Sequence, residues 1–360
     1  MSNDVRMHYE RHPYPQFPLF VSVRPCDTYH LNLESLSAFF YGRLPEQRRI
    51  LLAGCGSFSP YPTGIANRNA AITALDLSRR NLNRAHLHSI LHGCFNIDYR
   101  QGDLLDTSTA PGLFNFIDCF GVLHHLADPL EGLRALERRL APDGIIRIMV
   151  YSRYARRDEE SIRRALRLLG IREISALKKL IRRAHPASRL GRYLAGSSEA
   201  KSGSGLADAL LHPQALTFRI DQFRELISLA GLRPLRFAHW GALADVEEET
   251  QRLRGLEEVR GVTTNFIAYL GRSAPLSREN LPAGARLMLN PMLQECTGLL
   301  RLSKVQVAGR LGFPNPVLDR SNRAFLRRFR KPYPIAELTP SEQERAAPLL
   351  DAMFLVPLIS

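Results

Sequence analysis

Short apolar runs alternate with helical patterns between residues 49 and 150, and this alternation is the clearest feature of the chain. Apolar runs of about four to eight residues bounded by turn residues are typical of buried strands. The predicted strands cover residues 50–53, 71–75, 97–100, 116–120 and 145–150. Strands that alternate with helices build a mostly parallel sheet covered by helices. The pattern therefore predicts an α/β fold.

One helix is marked at both ends, in ADPLEGLRALERRLAPDG, residues 127–144. Asp128 can cap its first turn, Pro129 fits that turn, and Glu131 completes a capping pattern. Pro142 and Gly144 are stop signals at its other end. Its predicted apolar face consists of Leu130, Leu133, Leu136 and Leu140. The motif GVLHHL, residues 121–126, thereby lies between a strand and this helix.

The flanking segments divide the chain into further regions. Prolines at 13, 15 and 18 break the stretch HYERHPYPQFPLF, which is therefore predicted to be an extended arm, followed by a short helix near 33–41. After the fifth strand come two basic amphipathic helices and a Gly- and Ser-rich loop at 195–205. The predicted regions are an arm or lid (1–45), a core (46–150), a basic helical cap (151–215), a completion of the core sheet (216–272) and a mainly helical extension of unknown role (273–360).

Composition places the chain among ordinary globular proteins. It has 360 residues, of which 45% are hydrophobic and 23% are charged. No apolar run reaches the roughly 18 residues that a membrane-spanning helix needs, and the N-terminus has no signal-peptide core. The cysteines are scattered without C-x-x-C pairs, which predicts reduced and mostly buried thiols. We therefore expect a soluble cytoplasmic protein.

Positive charge is unevenly distributed. The net charge is +14, and residues 151–200 carry thirteen Lys or Arg against five Asp or Glu. A second basic cluster comprises Arg320, Arg323, Arg327, Arg328, Arg330 and Lys331. Such patches can attract an acidic protein, a membrane surface or nucleic acid, although nucleic acid is not the favoured partner. The favoured interpretation is a solvated face of amphipathic helices.

A glycine turn follows the first predicted strand in ILLAGCGS. Gly54 and Gly56 lie where a strand turns into a helix, and the missing Cβ atoms let backbone N–H groups approach a ligand. Asp76 follows the next strand, twenty residues after Gly56. A carboxylate there can accept hydrogen bonds from both ribose hydroxyls of an adenosine, and it would repel a 2′-phosphate. This disfavours NADP.

The residue at the position of a third glycine distinguishes between the two remaining candidate ligands, NAD and S-adenosylmethionine. A pyrophosphate needs a helix N-terminus brought close and uncovered, but Ser59 occupies that position. S-adenosylmethionine (SAM) has no phosphate, and the bulkier Phe58 and Ser59 fit it better. Asp103, after the third strand, can receive the adenine amino group, or it can simply cap a turn.

Ordered motifs resemble those of class I SAM-dependent methyltransferases. The matching segments are ILLAGCGS, ITALDLSRRNLNRA, IDYRQGDLLD, FIDCFGVLHHLADP and LERRLAPDGIIRIMVYS. YERHPYPQ, YSRYARR and LLHPQALTFRIDQFRELISLAGLRPLRF further resemble a bacterial group often fused to tetratricopeptide repeats and related to protein lysine methyltransferases, although no repeats occur here. The resemblance implies a Rossmann-like, doubly wound sheet with a helical cap insertion.

The resemblance also implies roles for individual residues. Gly54, Cys55 and Gly56 would contact the methionine part of SAM. The other implied contacts are Asp76 and Leu77 at the ribose and adenine edge, Asp103 and Leu104 at the adenine, Phe120 and Gly121 at the far wall, and Tyr9 and Tyr14 in an arm that closes the pocket. Leu52 stands where many relatives carry an acidic residue, and Phe58 replaces a common glycine.

No metal site is expected. Neighbouring residues on an extended segment point to opposite sides, so His124 and His125 would not face one ion, and no Cys or carboxylate companions stand at ligand spacing. Packing is the favoured role of both histidines. His124, His125 and Tyr14 remain the candidates for orienting a nucleophile or accepting its proton.

The predicted function is transfer of the SAM methyl group to an O, N or C nucleophile by in-line displacement. Alignment and water exclusion are the main tasks of such a protein, and a dedicated base is not required. The acceptor can be a protein, a peptide or a small metabolite, and the basic cap favours an anionic one. The alternative is a non-catalytic SAM-binding or partner-recruiting module. An NAD oxidoreductase is disfavoured by Ser59 and by the motif series.

Overall fold

A seven-stranded sheet forms the centre of the protein. The computed structural model describes residues 3–277, 281–282, 284–298 and 303–359. The strands of the central sheet are β1 (Arg49–Ala53), β2 (Ala71–Asp76), β3 (Ile97–Gln101), β4 (Phe114–Phe120), β5 (Leu140–Val150), β6 (Arg233–Phe237) and β7 (Phe266–Gly271). Their spatial order is β3-β2-β1-β4-β5-β7-β6, with β1 to β5 parallel and β7 antiparallel to both β5 and β6. The predicted α/β fold with a mostly parallel sheet is confirmed.

Helices cover both faces of this sheet and form the flanking regions. They are α1 (Asn3–Arg11), α2 (Leu33–Tyr41), α3 (Pro60–Ala66), α4 (Arg79–Leu91), α5 (Pro129–Glu137), α6 (Arg157–Leu168), α7 (Ile174–Ile181), α8 (Arg189–Gly196), α9 (Gly203–Leu206), α10 (Ile220–Leu229), α11 (Val246–Glu258), α12 (Arg320–Arg327) and α13 (Pro340–Asp351). Within the described residues, no helix is long and apolar enough to span a membrane.

The N-terminal stretch departs from the predicted extended arm. Residues 3–11 form α1, and the chain becomes irregular only from His12 onward. The first proline is Pro13, and a proline restricts only itself and the residue before it, so the residues upstream remain free to be helical. The prediction was therefore wrong for the first half of the arm.

The marked helix α5 begins as predicted but ends earlier. The Asp128 carboxylate accepts a hydrogen bond from the Glu131 N–H at 3.0 Å, and Pro129 occupies the first turn. The helix ends at Glu137, and Leu140 instead pairs with Phe114 as the first residue of β5. Pairing with the neighbouring strand therefore outweighs the helical spacing of Leu140.

The C-terminal extension contains the expected helices and, in addition, a small sheet. Strands β8 (Arg286–Leu289), β9 (Tyr333–Pro334) and β10 (Leu355–Leu358) form an antiparallel sheet in the order β10-β8-β9. Its side chains join the same apolar cluster as α2 and one face of the central sheet. The extension therefore packs as part of the core.

Burial on both faces explains why the central strands read as continuous apolar runs. In β1, Ile50 and Leu52 belong to one apolar cluster, whereas Leu51 and Ala53 belong to the cluster on the opposite face. A parallel sheet covered on both sides needs apolar residues at every position. The five cysteines are buried and form no disulfide within the described residues, in agreement with the predicted reduced thiols.

A buried ion pair joins the two central strands β4 and β5. The Arg147 guanidinium donates two hydrogen bonds of 2.8 Å to the Asp118 carboxylate. The Asp118 side chain is 3% exposed and that of Arg147 is 11% exposed. Removing one partner of such a pair leaves an uncompensated buried charge.

We expect Arg147→Met to lower the free energy of unfolding by about 3–5 kcal/mol, because Asp118 would remain buried without its partner. Chemical denaturation measures this loss. The double variant Arg147→Met with Asp118→Leu removes both charges and should recover much of the stability. A double variant no more stable than Arg147→Met would contradict this explanation.

Candidate active site

A cavity of about 300 Å³ opens at the carboxyl ends of the parallel strands. Ligands of open α/β sheets bind at this edge, where the connections leave the sheet on opposite sides. The lining comes from the arm, the strand ends and the cap: Val5, Tyr9, Tyr14, Pro15, Phe17, Gly54, Cys55, Gly56, Ser59, Leu75, Asp76, Leu77, Asn81, Gly102, Leu104, Phe120, Gly121, Val122, His125, Met149, Tyr151, Glu199 and Asp208.

The glycine turn after β1 packs directly under the N-terminal arm. Gly54 and Gly56 have φ of +78° and +58°, which L side chains rarely adopt. A Cβ atom on Gly56 would lie 2.8 Å from the Tyr14 carbonyl oxygen. The Ser57 N–H donates a hydrogen bond of 3.1 Å to the same oxygen. Glycine at position 56 is therefore required both by the turn and by the close approach of the arm.

Asp76 organises this end of the cavity. Its Oδ2 accepts a hydrogen bond from the Gly56 N–H at 2.8 Å, and its Oδ1 accepts from the Ser78 N–H at 2.9 Å and from Asn81 Nδ2 at 3.3 Å. Burial raises the pKa of Asp76, while these donors act in the opposite direction. The carboxylate thus fixes the glycine turn to the start of α4.

The N-terminal arm forms a roof over the cavity. The Tyr14 N–H donates to Asn81 Oδ1 at 3.1 Å, and the Ser78 hydroxyl donates to the Tyr9 carbonyl oxygen at 3.3 Å. The Tyr9 hydroxyl points toward the cap and donates to Asp208 Oδ1 at 2.9 Å. Tyr9 therefore connects the Asp76 end of the cavity with the cap.

The cap contributes an acidic wall. Asp208 lies in a π-helical turn, Ala207–Leu211, and burial raises its pKa to about 6. Turns of this kind occur frequently at functional sites. Glu199 lies on the same wall, where Arg156 binds both of its oxygens at 2.7 and 3.0 Å and also covers the Tyr151 ring at 4.1 Å.

Two histidines meet beside Asp208. His125 Nδ1 lies 2.7 Å from the Gln214 carbonyl oxygen, so Nδ1 carries the proton and Nε2 keeps its lone pair. The Gln214 N–H donates to His212 Nδ1 at 3.1 Å, so His212 carries its proton on Nε2. Burial keeps both rings neutral, lowering the pKa of His125 to about 3 and that of His212 far below its usual value.

The reasoning against a metal site was wrong about the neighbours of His125. Leu123–His125 form a 3-10 turn rather than an extended segment, and Asp208 and His212 come within 4.8 Å of His125 and of each other. The His125 and His212 rings, however, stack with centroids 3.7 Å apart. In-plane lone pairs of stacked rings do not converge, and the His212 Nε2 is protonated. The stacking and the hydrogen bonds of the two rings favour packing over metal binding for His125 and His212.

The structure brings together most residues to which the sequence assigned cofactor contacts. Those that line the cavity are Tyr9, Tyr14, Gly54, Cys55, Gly56, Asp76, Leu77, Leu104, Phe120 and Gly121. Asp103 does not line it, and its carboxylate accepts a hydrogen bond from the Leu105 N–H at 2.9 Å, as a turn cap would. Of the proposed nucleophile-orienting residues, Tyr14 and His125 line the cavity, whereas His124 is buried against the Tyr151 ring at 3.6 Å.

Sequence reasoning missed the acidic wall. Asp208 and Glu199 lie in segments with no local motif, and His212 lies in LLHPQALTFRIDQFRELISLAGLRPLRF, whose resemblance assigned no role to this histidine. Their proximity to His125 arises from the path of the cap, and only the position of the cap after the fifth strand pointed to this edge of the sheet.

The basic cap is not uniformly a solvated face. The helices carry exposed cations, but Arg163 is buried and its Nε donates to the Ala209 carbonyl oxygen at 2.6 Å. Arg163 therefore supports the turn that holds Asp208. The prediction of an anionic acceptor then concerns only the exposed cations on the outer surface of the cap.

Comparison with known proteins agrees with the fold. Residues 51–148 match the family model described as a methyltransferase domain. An uncharacterised protein of Synechococcus sp. is 31% identical over 323 residues, covering 80% of this chain and 76% of that protein. A ubiquinone biosynthesis O-methyltransferase of Paracidovorax citrulli is 30% identical over 117 residues, covering 32% of this chain and 49% of that enzyme.

Among solved structures, PKMT2 from Rickettsia typhi shares the fold. It superimposes with a TM-score of 0.54 at 15% identity, over 96% of this chain and 77% of that one. Its complex with AdoHcy gives a TM-score of 0.53 at 14% identity, over 96% of this chain and 78% of that one.

The strand order and the matched domain define a class I methyltransferase fold. The chain carries a class I SAM-dependent methyltransferase domain, and SAM is its cofactor. Its methyl acceptor is not identified by these comparisons.

We expect Gly56→Ala to displace the arm, because the new Cβ would meet the Tyr14 carbonyl oxygen. Hydrogen exchange of residues 12–18 should become faster. Gly231→Ala is the matched control, since Gly231 has φ of +74° but a Cβ added there would have no non-adjacent atom of the described residues within 4 Å. Both variants carry about 1–2 kcal/mol of backbone strain, so only the clash distinguishes them. Equal exchange of the arm in the two variants would contradict the role of Gly56.

Proposed function

We propose that SAM lies across the cavity with its ribose at Asp76. A carboxylate offers about four lone-pair sites, and the protein donors described above use three of them, leaving one on Oδ2. In this arrangement the adenine lies near Leu77 and Leu104. The methionine part follows the turn Gly54, Cys55 and Gly56, beside Phe120 and Gly121, with Tyr9 and Tyr14 above it.

This placement leaves the cap end of the cavity for the methyl acceptor. Phe120 ends β4 and Gly121 follows it, and the walls beyond them are His125, Tyr151, Glu199 and Asp208. The arm and the cap therefore enclose the space where the two reactants meet, which excludes water and restricts their relative orientation.

We further propose that the acceptor is an amine. The observation that carries this proposal is Asp208, which is 3% exposed and has no ion-pair partner among the described residues. A buried carboxylate without a cation costs free energy unless a ligand compensates it. The rings of Tyr9, Tyr14 and Tyr151 line the same space, and aromatic faces attract ammonium groups.

The cofactor supplies an electrophilic methyl group on a positively charged sulfur. The protein supplies the enclosure, the carboxylates and the aromatic faces that hold an amine in line with that group. A neutral phenol or alcohol would leave Asp208 uncompensated, so the geometry favours nitrogen over oxygen as the accepting atom.

We expect Asp76→Asn to weaken SAM binding at least tenfold in isothermal titration. The amide removes an acceptor for the ribose. It also weakens the hydrogen bond from the Gly56 N–H, because the side chain loses its charge or presents its NH₂ group to that donor. Hydrogen bonds to charged groups contribute about 1.5–3 kcal/mol each. The control is Asp98→Asn on β3, whose carboxylate is 56% exposed and paired with Arg100. An unchanged dissociation constant for a folded Asp76→Asn protein would contradict the ribose placement.

The acceptor class can be tested with methyl-labelled SAM. Wild-type protein would be incubated with lysine-containing peptides, small primary amines and phenols of similar size, and mass spectrometry would locate the methyl group. We expect N-methylated products from at least one amine series. Methylation of phenols with no amine product would overturn the amine assignment while leaving the methyltransferase activity intact.

A further inference from the structure

We propose that Asp208 is the group that accepts the proton of the acceptor amine, and that the Tyr9 hydroxyl adjusts its basicity. The inference rests on the proposed amine methylation and adds a catalytic residue that the sequence motifs do not contain.

The position of Asp208 carries the proposal. Its carboxylate lines the cap end of the cavity, and the hydrogen bond from Tyr9 occupies Oδ1. Its location in the π-helical turn is fixed from behind by Arg163, which binds the Ala209 carbonyl oxygen. The carboxylate is thus held at the wall of the cavity by two other elements, α1 and α6, and no described residue donates a hydrogen bond to its second oxygen.

The surrounding groups leave Asp208 as the strongest base of this wall. His125, His212 and His8 also face this region, and burial lowers the pKa of each, to about 3 for His125 and about 4 for His8. Burial raises the pKa of Asp208 to about 6, with the Glu199 charge adding to this effect. The Tyr9 hydrogen bond and the Arg163 and Arg156 charges oppose it. A base is most effective when its pKa lies near the working pH.

The proton balance is simple. The ammonium form of the acceptor transfers one proton to Asp208, forming an O–H bond and leaving the N–H electron pair on nitrogen. That lone pair forms the N–C bond with the methyl group, and the electrons of the broken C–S bond remain on sulfur. The product leaves as a methylated ammonium with S-adenosylhomocysteine, and Asp208 returns its proton to solvent when the cavity opens.

The first test is Asp208→Asn, compared with the wild type across pH. In the wild type, kcat should fall below about pH 6, where Asp208 becomes protonated. In the variant, kcat at pH 7 should fall by about 10² to 10⁴-fold, as for loss of a general base, and should recover partly at alkaline pH. SAM affinity by titration calorimetry should stay within threefold. Asp158→Asn, an exposed cap carboxylate paired with Arg189, is the matched control.

The second test is Tyr9→Phe, which removes the hydrogen bond to the charged carboxylate. The pKa of Asp208 should rise, so the acidic limb of the kcat profile should move to higher pH. A residue that only packs the arm would lower activity without moving this limb. An unmoved limb in Tyr9→Phe would overturn the role given to Tyr9.

The third test needs no substrate. A carboxyl whose pKa is higher in the folded than in the unfolded protein costs stability as pH rises through the folded value. The Tm of Asp208→Asn should therefore exceed that of the wild type by more at pH 8 than at pH 5. An equal difference in Tm between the variant and the wild type at both pH values would contradict an Asp208 that is buried and ionises in this range.

The outcomes separate this inference from the proposed function. If the wild-type protein methylates no amine, the proposed function itself is contradicted. Wild-type activity toward amines combined with an Asp208→Asn variant of unchanged kcat and pH profile would overturn only the role of Asp208. A variant that loses SAM affinity as much as kcat would also overturn it, since Asp208 would then belong to the cofactor site.

Discussion

The hydrogen bonds of Asp76 are the constraint on which the site depends. One carboxylate at the end of β2 binds the N–H of Gly56 and that of Ser78, so it joins two strand ends to the start of α4. Asn81 binds the same carboxylate and also accepts from the Tyr14 N–H. Through this chain of bonds, the arm is positioned by the same group that positions the glycine turn. A buried carboxylate must be compensated by hydrogen-bond donors. The need to compensate Asp76 therefore fixes the glycine turn, the start of α4 and the arm at the cofactor end of the cavity.

The buried carboxylates of this protein are compensated in different ways, and the difference is informative. Arg147 neutralises Asp118 between two strands, and backbone N–H groups solvate Asp76. Glu249 is held by His239, Arg252 and the Leu243 N–H, which lower its pKa to about 2. Among the described residues, the Asp208 carboxylate accepts a hydrogen bond from the Tyr9 hydroxyl, and burial raises the pKa of Asp208 despite the Arg163 and Arg156 charges. Ionisable groups that lie in a cavity and whose pKa is raised by burial are concentrated at functional sites.

The sequence predicted the parts of this protein that local physics determines. The parallel strands and the start of α5 follow from apolar runs and from the capping residues Asp128 and Glu131, and the structure agrees. The short antiparallel sheet of the extension and the early end of α5 depend on pairing between distant segments, which periodicity does not record. The acidic wall was missed for the same reason. Asp208 is separated from Tyr9 by 199 positions in the chain, and it lies just before the segment LLHPQALTFRIDQFRELISLAGLRPLRF, outside every motif that the sequence analysis used.

Tyr9 links closure of the arm to the chemistry of the cap. Its carbonyl oxygen is held by Ser78 beside Asp76, and its hydroxyl binds Asp208 across the cavity. An arm that moved away would therefore remove the roof and, with the same residue, the donor that favours the ionised form of Asp208. Water entering the open cavity would replace that donor and lower the cost of charge on the carboxylate. Asp208 is consequently most basic in the closed state, from which water is excluded. This is also the state in which SAM and the methyl acceptor are aligned.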